Sequence, residues 1–182
     1  YRYESVDQDG IDKQANASTL KSRLTWSSAT YKDFKTVLEF DNVTVIGGEN
    51  YKTPTNGKAG YPIVADPKGT DVNQAYIHYQ SSDLSATLGR QRILHGGQRF
   101  VGGVGWRQNE QTFDALRLTL PVVNSVKIDY SYIWNVNRIF GPVDSAGQAK
   151  QWASDSHSLL ASFAPAKDHS VTAFAYLLDF DN

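Results

Sequence analysis

Residues 124–137, NSVKIDYSYIWNVN, alternate with a period of two. Val126, Ile128, Tyr130, Tyr132, Trp134 and Val136 fall on one face, and Lys127, Asp129, Ser131, Ile133, Asn135 and Asn137 on the other. Side chains of a strand alternate between two environments, so the pattern predicts a strand with one apolar, aromatic face and one largely polar face. The run is about twice the usual 5–6 residues of a soluble strand and close to the roughly 9–11 that a tilted strand needs to cross a bilayer. Aromatic rings gathered near one end of the apolar face suit a membrane interface.

The same alternation recurs along the chain. Tyr1 and Tyr3 oppose Arg2 and Glu4, and Leu20, Leu24 and Trp26 oppose Thr19, Lys21, Arg23 and Thr25. Leu38 and Phe40 oppose Glu39 and Asp41, while Ala75, Ile77 and Tyr79 oppose Gln74, Tyr76 and His78. Leu116, Leu118, Leu120 and Val122 oppose Ala115, Arg117 and Thr119, and near the end Phe174, Tyr176, Leu178 and Phe180 share a side. Between Leu84 and Ile93 the parity is mixed, because Leu88 shares a face with Arg90 and Arg92, which asks for a bulge or a mixed face.

About nine strands follow from this pattern. Short connections are expected near 30–33, 81–83, 121–125 and 165–169, and long ones near 8–16, 47–70, 94–111 and 138–155. Successive connections of an up-and-down sheet lie at opposite ends, so all short turns fall at one end and all long loops at the other. That is the asymmetry of periplasmic turns and extracellular loops. The expected fold is all-β, an up-and-down antiparallel transmembrane β-barrel. Residues 1–182 would form part of a single barrel domain, a fragment of a larger barrel of roughly 16–18 strands.

Composition narrows the picture. Hydrophobic residues make up 40% of the chain, mean hydropathy is −0.45, and the apolar runs are far shorter than the roughly 18 residues of a membrane helix. Any membrane crossing must therefore use a closed barrel, since only helices and barrels satisfy every backbone group in lipid. A net charge of −1 removes the usual electrostatic argument for nucleic acid. With no cysteine, no disulfide or thiolate chemistry is possible. His78, His95, His157 and His169 lack the spacing of metal ligands, and Asp7–Asp12 resembles the start of a calcium loop but lacks its distal Glu. Gly102–Trp106 lacks the strand-to-helix context of a phosphate cradle. No paired carboxylates or nucleophile and base stand out, so no enzyme activity, cofactor or metal is expected.

If the apolar face meets lipid, the polar face lines a lumen and its charges become the functional inventory. Candidate pore-lining residues are Arg23, Arg90, Arg92, Arg117, Lys21, Lys127, Glu39 and Asp129. Fixed cations in a water-filled pore concentrate anions, and carboxylate neighbours hold the guanidinium groups in place by paired hydrogen bonds. A different class of reading is a soluble or surface all-β carbohydrate-binding or adhesion domain that uses the aromatic face as a sugar platform.

At the second long loop the residues themselves are suggestive. Leu88-Gly89-Arg90-Gln91-Arg92-Ile93, then Gln98-Arg99-Phe100-Val101-Gly102 and Gly105 to Ala115 (GWRQNEQTFDA), resemble the alginate-export, porin-like family of Gram-negative outer membranes. Arg2-Tyr3-Glu4, Asp7-Gln8-Asp9-Gly10, Gly60 to Pro67 and Asn73-Gln74-Ala75-Tyr76 agree, and the resemblance covers roughly residues 1–135. It implies a monomeric barrel of the bacterial outer membrane, in contact with the lipid bilayer and lipopolysaccharide. A basic lumen would pass anionic, carbohydrate-like small molecules or polysaccharide by passive diffusion without a cofactor. Arg90 and Arg92 are carried over from the GRQR motif, and Arg23 and Arg117 are added by face parity.

Overall fold

The computed structural model describes residues 1–122, 125–144 and 147–181. The middle of the turn expected at 121–125 and part of the loop expected at 138–155 lie outside the described residues. Every element is a strand: β1 (Arg2–Val6), β2 (Ala15–Ser27), β3 (Phe34–Val45), β4 (Gly69–Gln80), β5 (Ser85–Gln91), β6 (Thr112–Val122), β7 (Val126–Asn137), β8 (Gln151–Ala166), β9 (His169–Leu177) and β10 (Phe180–Asp181). They form one antiparallel sheet in which each strand pairs with the next through β8; β9 and β10 both pair with β8. The expected ninth strand is thus divided. β9 pairs with the second half of β8 and β10 with Ser154 and Ala153, and Leu178-Asp179 forms the break. There Asp179 bonds through its backbone N–H and carbonyl to Ser156 Oγ. Among the described residues β1 and β9 do not pair with each other, so the sheet is open.

Connections alternate as the pattern predicts: 28–33, 81–84, 123–125 and 167–168 are short, whereas 7–14, 46–68, 92–111 and 138–150 are long. The first hairpin shows why the short ones are tight. Lys32 and Asp33 adopt φ of 47° and 70°, and Tyr31 and Phe34 exchange backbone bonds of 2.9 and 3.0 Å around them. Two successive positive-φ residues give the primed turn whose twist matches the flanking strands.

The two faces of the sheet are inverted relative to a soluble protein. Leu24 is 70% exposed, Ile77 51% and Leu88 54%, whereas Glu39 is 4% exposed, Asp41 5% and Asp129 7%. Among the described residues all strands belong to one sheet, so no second sheet covers the apolar side. Aromatics mark both ends of that side. Trp26, Tyr31, Phe34 and Tyr79 lie towards the short turns, with Phe34 and Tyr79 in ring contact at 5.0 Å; Tyr132 and Trp134 lie towards the long loops. Such girdles bracket the apolar band of membrane barrels.

Bulges correct the simple parity. A register shift between Asp114 and Ala115 makes Trp134 an extra residue in β7. Beyond it Val136 pairs with Phe113 and is buried with Ile93 on the loop-covered face, not on the apolar side with Ile128. In β9, Phe174 and Tyr176 pair with Leu160 and Ser158, which places them on the inner face and leaves Val171, Ala173 and Ala175 outside.

Candidate functional site

The inner face is the one over which the long loops fold. Residues 92–111 cross it from one edge of the sheet to the other. At one edge Arg107 bonds Glu4 of β1 at 3.0 Å, and Gln108 donates to the Thr19 hydroxyl of β2 at 2.7 Å. At the other edge His95 stacks on Tyr176 of β9 with ring centroids 5.9 Å apart. Its base is anchored by Ile93 and Val101, buried against Phe113, Ala115, Ile133 and Val136. Loop 46–68 covers β1 and β2 in the same way, through Tyr51 and Val64 on Ala15 and Ala17.

The two loops meet at Asp66, which is 0% exposed. Its Oδ1 accepts the Gln108 backbone N–H at 2.9 Å, and Oδ2 lies 3.2 Å from Arg2 and 3.7 Å from Arg107. Burial raises the Asp66 pKa above its ordinary value, although the Gln108 N–H and the two guanidinium groups work against it.

Four of the eight charged candidates, Lys21, Arg23, Glu39 and Arg92, gather with Asp41 and Glu110 in a lattice beneath the middle of loop 92–111. Arg23 grips Asp41 through Nε and Nη2, both at 2.7 Å, and also bonds Glu110. Lys21 lies 3.0 Å from Asp41 and 3.2 Å from Glu110, and Arg92 reaches Glu39 and Glu110, each at 2.5 Å. Thr25, Asn73 and Gln74 complete the donors to Glu39 at 2.7, 2.8 and 3.2 Å. Three cations face three carboxylates, so the lattice is neutral. Burial would raise the Glu110 pKa, but hydrogen bonds from Arg92 and Arg23 prevail and hold it down at about 2.

The other candidates stand apart. Arg117 forms its own pair with Asp129, Nη2 to Oδ2 at 2.5 Å. Arg90 keeps the parity of Leu88, on the side opposite Gln91. It bridges β4 to β6, donating to the Val72 carbonyl at 3.0 Å and to Asp114 at 2.8 Å. The two arginines of the GRQR motif therefore do different jobs: Arg92 belongs to the inner lattice and Arg90 does not. The cause is the end of β5 at Gln91, after which the chain turns inward and breaks the alternation.

Lys127 faces an inner groove of about 390 Å³ with Arg117 and His78. A neighbouring groove of about 300 Å³ shares Arg117 and His78 and adds Lys35 and Arg92. Among the described residues no carboxylate lines either groove, and neither Lys35 nor Lys127 has an ion pair. Glu110, Asn73, Asp66 and Arg107 were not candidates from periodicity, since three lie in loops and Asn73 sits at a bulge. The only sequence signal for Glu110 is the GWRQNEQTF run that carries it.

Comparisons with curated proteins and with solved structures give no match. The family model described as alginate export matches residues 1–174 of the 182-residue chain. With the inverted, single-layer antiparallel sheet, that match places the chain in the alginate-export family of β-barrel proteins.

Proposed function

We propose that this chain contributes to a channel of the bacterial outer membrane, through which anionic, carbohydrate-like solutes diffuse passively as they pass a monomeric, cofactor-free barrel. The observation that carries the reading is the pair of inner grooves, where among the described residues Lys35 and Lys127 have no ion pair and no carboxylate lines the walls. Unneutralised cations beside a low-dielectric wall raise the local concentration of anions. The lattice around Glu110 supplies a different property. Its charges cancel, so it fixes the loop across the path and sets its width more than its sign. Lipid contact is supported by the exposed apolar face and its aromatic borders. No step in this passage calls for catalysis.

The test uses the full-length protein. It should fractionate with outer membranes and show stepwise conductance in planar bilayers with anion preference. Lys35→Glu combined with Lys127→Glu should lower the anion-to-cation permeability ratio several-fold, since these lysines hold no partner whose loss would unsettle the fold. Cation preference in the parent, or a ratio untouched by the double reversal, would refute the proposal.

A further inference from the structure

The loop that crosses the inner face leaves one guanidinium free. Every other arginine of the chain donates a hydrogen bond, but among the described residues Arg99 has neither a hydrogen bond nor an ion pair. It borders a cleft of about 550 Å³ between the loop and the inner sides of β8 and β9, walled by Phe100, Leu160, Phe174 and Tyr176. The rings fan around the opening: Phe100 lies 5.8 Å from Tyr176 and 6.1 Å from Phe174, tilted by 49° and 43°. Phe100 and Phe174 are 60% and 56% exposed, on a face whose other side chains are largely amides, hydroxyls and charges. His95 also lines the cleft; it is 5% exposed, and neither ring nitrogen has a hydrogen-bond partner.

Such a combination of walls and charge selects a chemistry. A sugar presents a ring of hydroxyls that asks for several convergent hydrogen-bonding groups, yet the hydroxyls lining this cleft, Ser162 and Thr172, already bond each other at 2.9 Å. Tilted aromatic walls instead favour another aromatic ring, in offset or edge-to-face contact. The unpaired guanidinium favours a planar carboxylate, which it can hold by two parallel hydrogen bonds. We propose that this cleft is a binding subsite for small aromatic carboxylates, with the ring among Phe100, Phe174 and Tyr176 and the carboxylate on Arg99. The idea rests on the proposed anion path and names a solute class that the path would retain.

Full-length protein in detergent micelles, titrated with 4-fluorobenzoate and followed by fluorine NMR, tests it. Saturable binding is expected, displaced by benzoate but at least tenfold less well by acetate, cyclohexanecarboxylate or glucuronate. Phe100→Ala and Arg99→Ala should each weaken binding at least tenfold; both side chains are exposed, so the fold is retained. Equal competition by acetate would reduce the site to a bare cation, and equal competition by cyclohexanecarboxylate to a greasy pocket. Better competition by glucuronate would make it a sugar site, and absence of saturable binding would mean the cleft is filled or unused. Each of these overturns the proposal. Anion-selective conductance without fluorobenzoate binding sinks the cleft alone, whereas binding without anion selectivity sinks the channel reading.

Discussion

Glu110→Gln is the most informative single change, because Glu110, together with Arg92, ties 92–111 to the charged lattice of the sheet. Its carboxylate takes Arg92 at 2.5 Å, Lys21 at 3.2 Å, Asn73 at 3.3 Å and also Arg23. The side chain is 9% exposed. Holding its pKa at about 2 instead of the ordinary 4.5 corresponds to roughly 3 kcal/mol of preference for the charged form. Arg92 belongs to the loop itself, the guanidinium partners are about a quarter to a third exposed and water screens them, so about 2 kcal/mol at most is left for holding the loop to the sheet. A loss of about 2 kcal/mol raises the population of the released loop roughly 30-fold.

Trypsin reads that population at the Arg107–Gln108 bond, which is closed while Arg107 bonds Glu4 and Gln108 bonds Thr19. When opening is fast relative to cleavage, the rate follows the open fraction. Glu110→Gln should therefore be cut there about 30 times faster at neutral pH. The sign of the acid dependence follows from a folded-state pKa below the unfolded one. The stabilisation is complete above about 4.5 and is lost as pH falls through about 2. An acid-stable protease should accordingly find the parent loop closed at pH 4 and opening only near pH 2, and the variant equally open at both. A cleavage rate within threefold of the parent at neutral pH would show that the apolar anchors at Ile93 and Val101 hold the loop by themselves.

Three further substitutions separate the faces and the backbone. Leu24→Arg, on the exposed apolar side, should cost about 2–4 kcal/mol of barrel stability if the site lies near the bilayer midplane, while Thr119→Arg on the inner face should be tolerated; the fraction migrating as heat-modifiable folded protein compares them, and equal yields would refute the lipid assignment. Gly89→Ala places a Cβ 2.4 Å from the Ala75 carbonyl oxygen at φ of +120°. It should lower stability by about 3 kcal/mol, read as a lower urea midpoint of the folded barrel.

The alternation of Leu24, Trp26, Ile77 and Leu118 with Arg23, Thr25, His78 and Arg117 made the strands, their faces and the sorting of the loops readable before any coordinates. A strand with lipid on one side and charge on the other must keep its parity, so the pattern is strong wherever the strand is regular. It failed where the strand is not. The extra residue at Trp134 sent Val136 inward, and the end of β5 at Gln91 sent Arg90 and Arg92 to different sides. Phe174 and Tyr176 were legible as a shared face, but not as an inner one, because apolar periodicity cannot say which side a loop will cover. Glu110 and Asp66 sit in segments without any period, and their partners are set by how loops 46–68 and 92–111 fold back, which no local pattern encodes.

The arrangement of charge along the sheet follows from a physical constraint on an inside-out protein. Buried ion pairs roughly break even against their desolvation, so a polar inner face gains little net stability from the pairs themselves. What they supply is position. At the loop end Lys21, Arg23 and Arg92 are spent on Glu39, Asp41 and Glu110, and in exchange the loop is fixed across the sheet. Lys35 and Lys127, each the second residue of its strand after a short turn, have no such duty and keep their charge for whatever enters. An anion approaching from the turn end would meet unpaired lysines first, then the Arg117–Asp129 pair, and only then the neutral lattice. Attraction and restriction are thus separated along the same face, which is why reversing the lysines should change selectivity while removing Glu110 should change the loop.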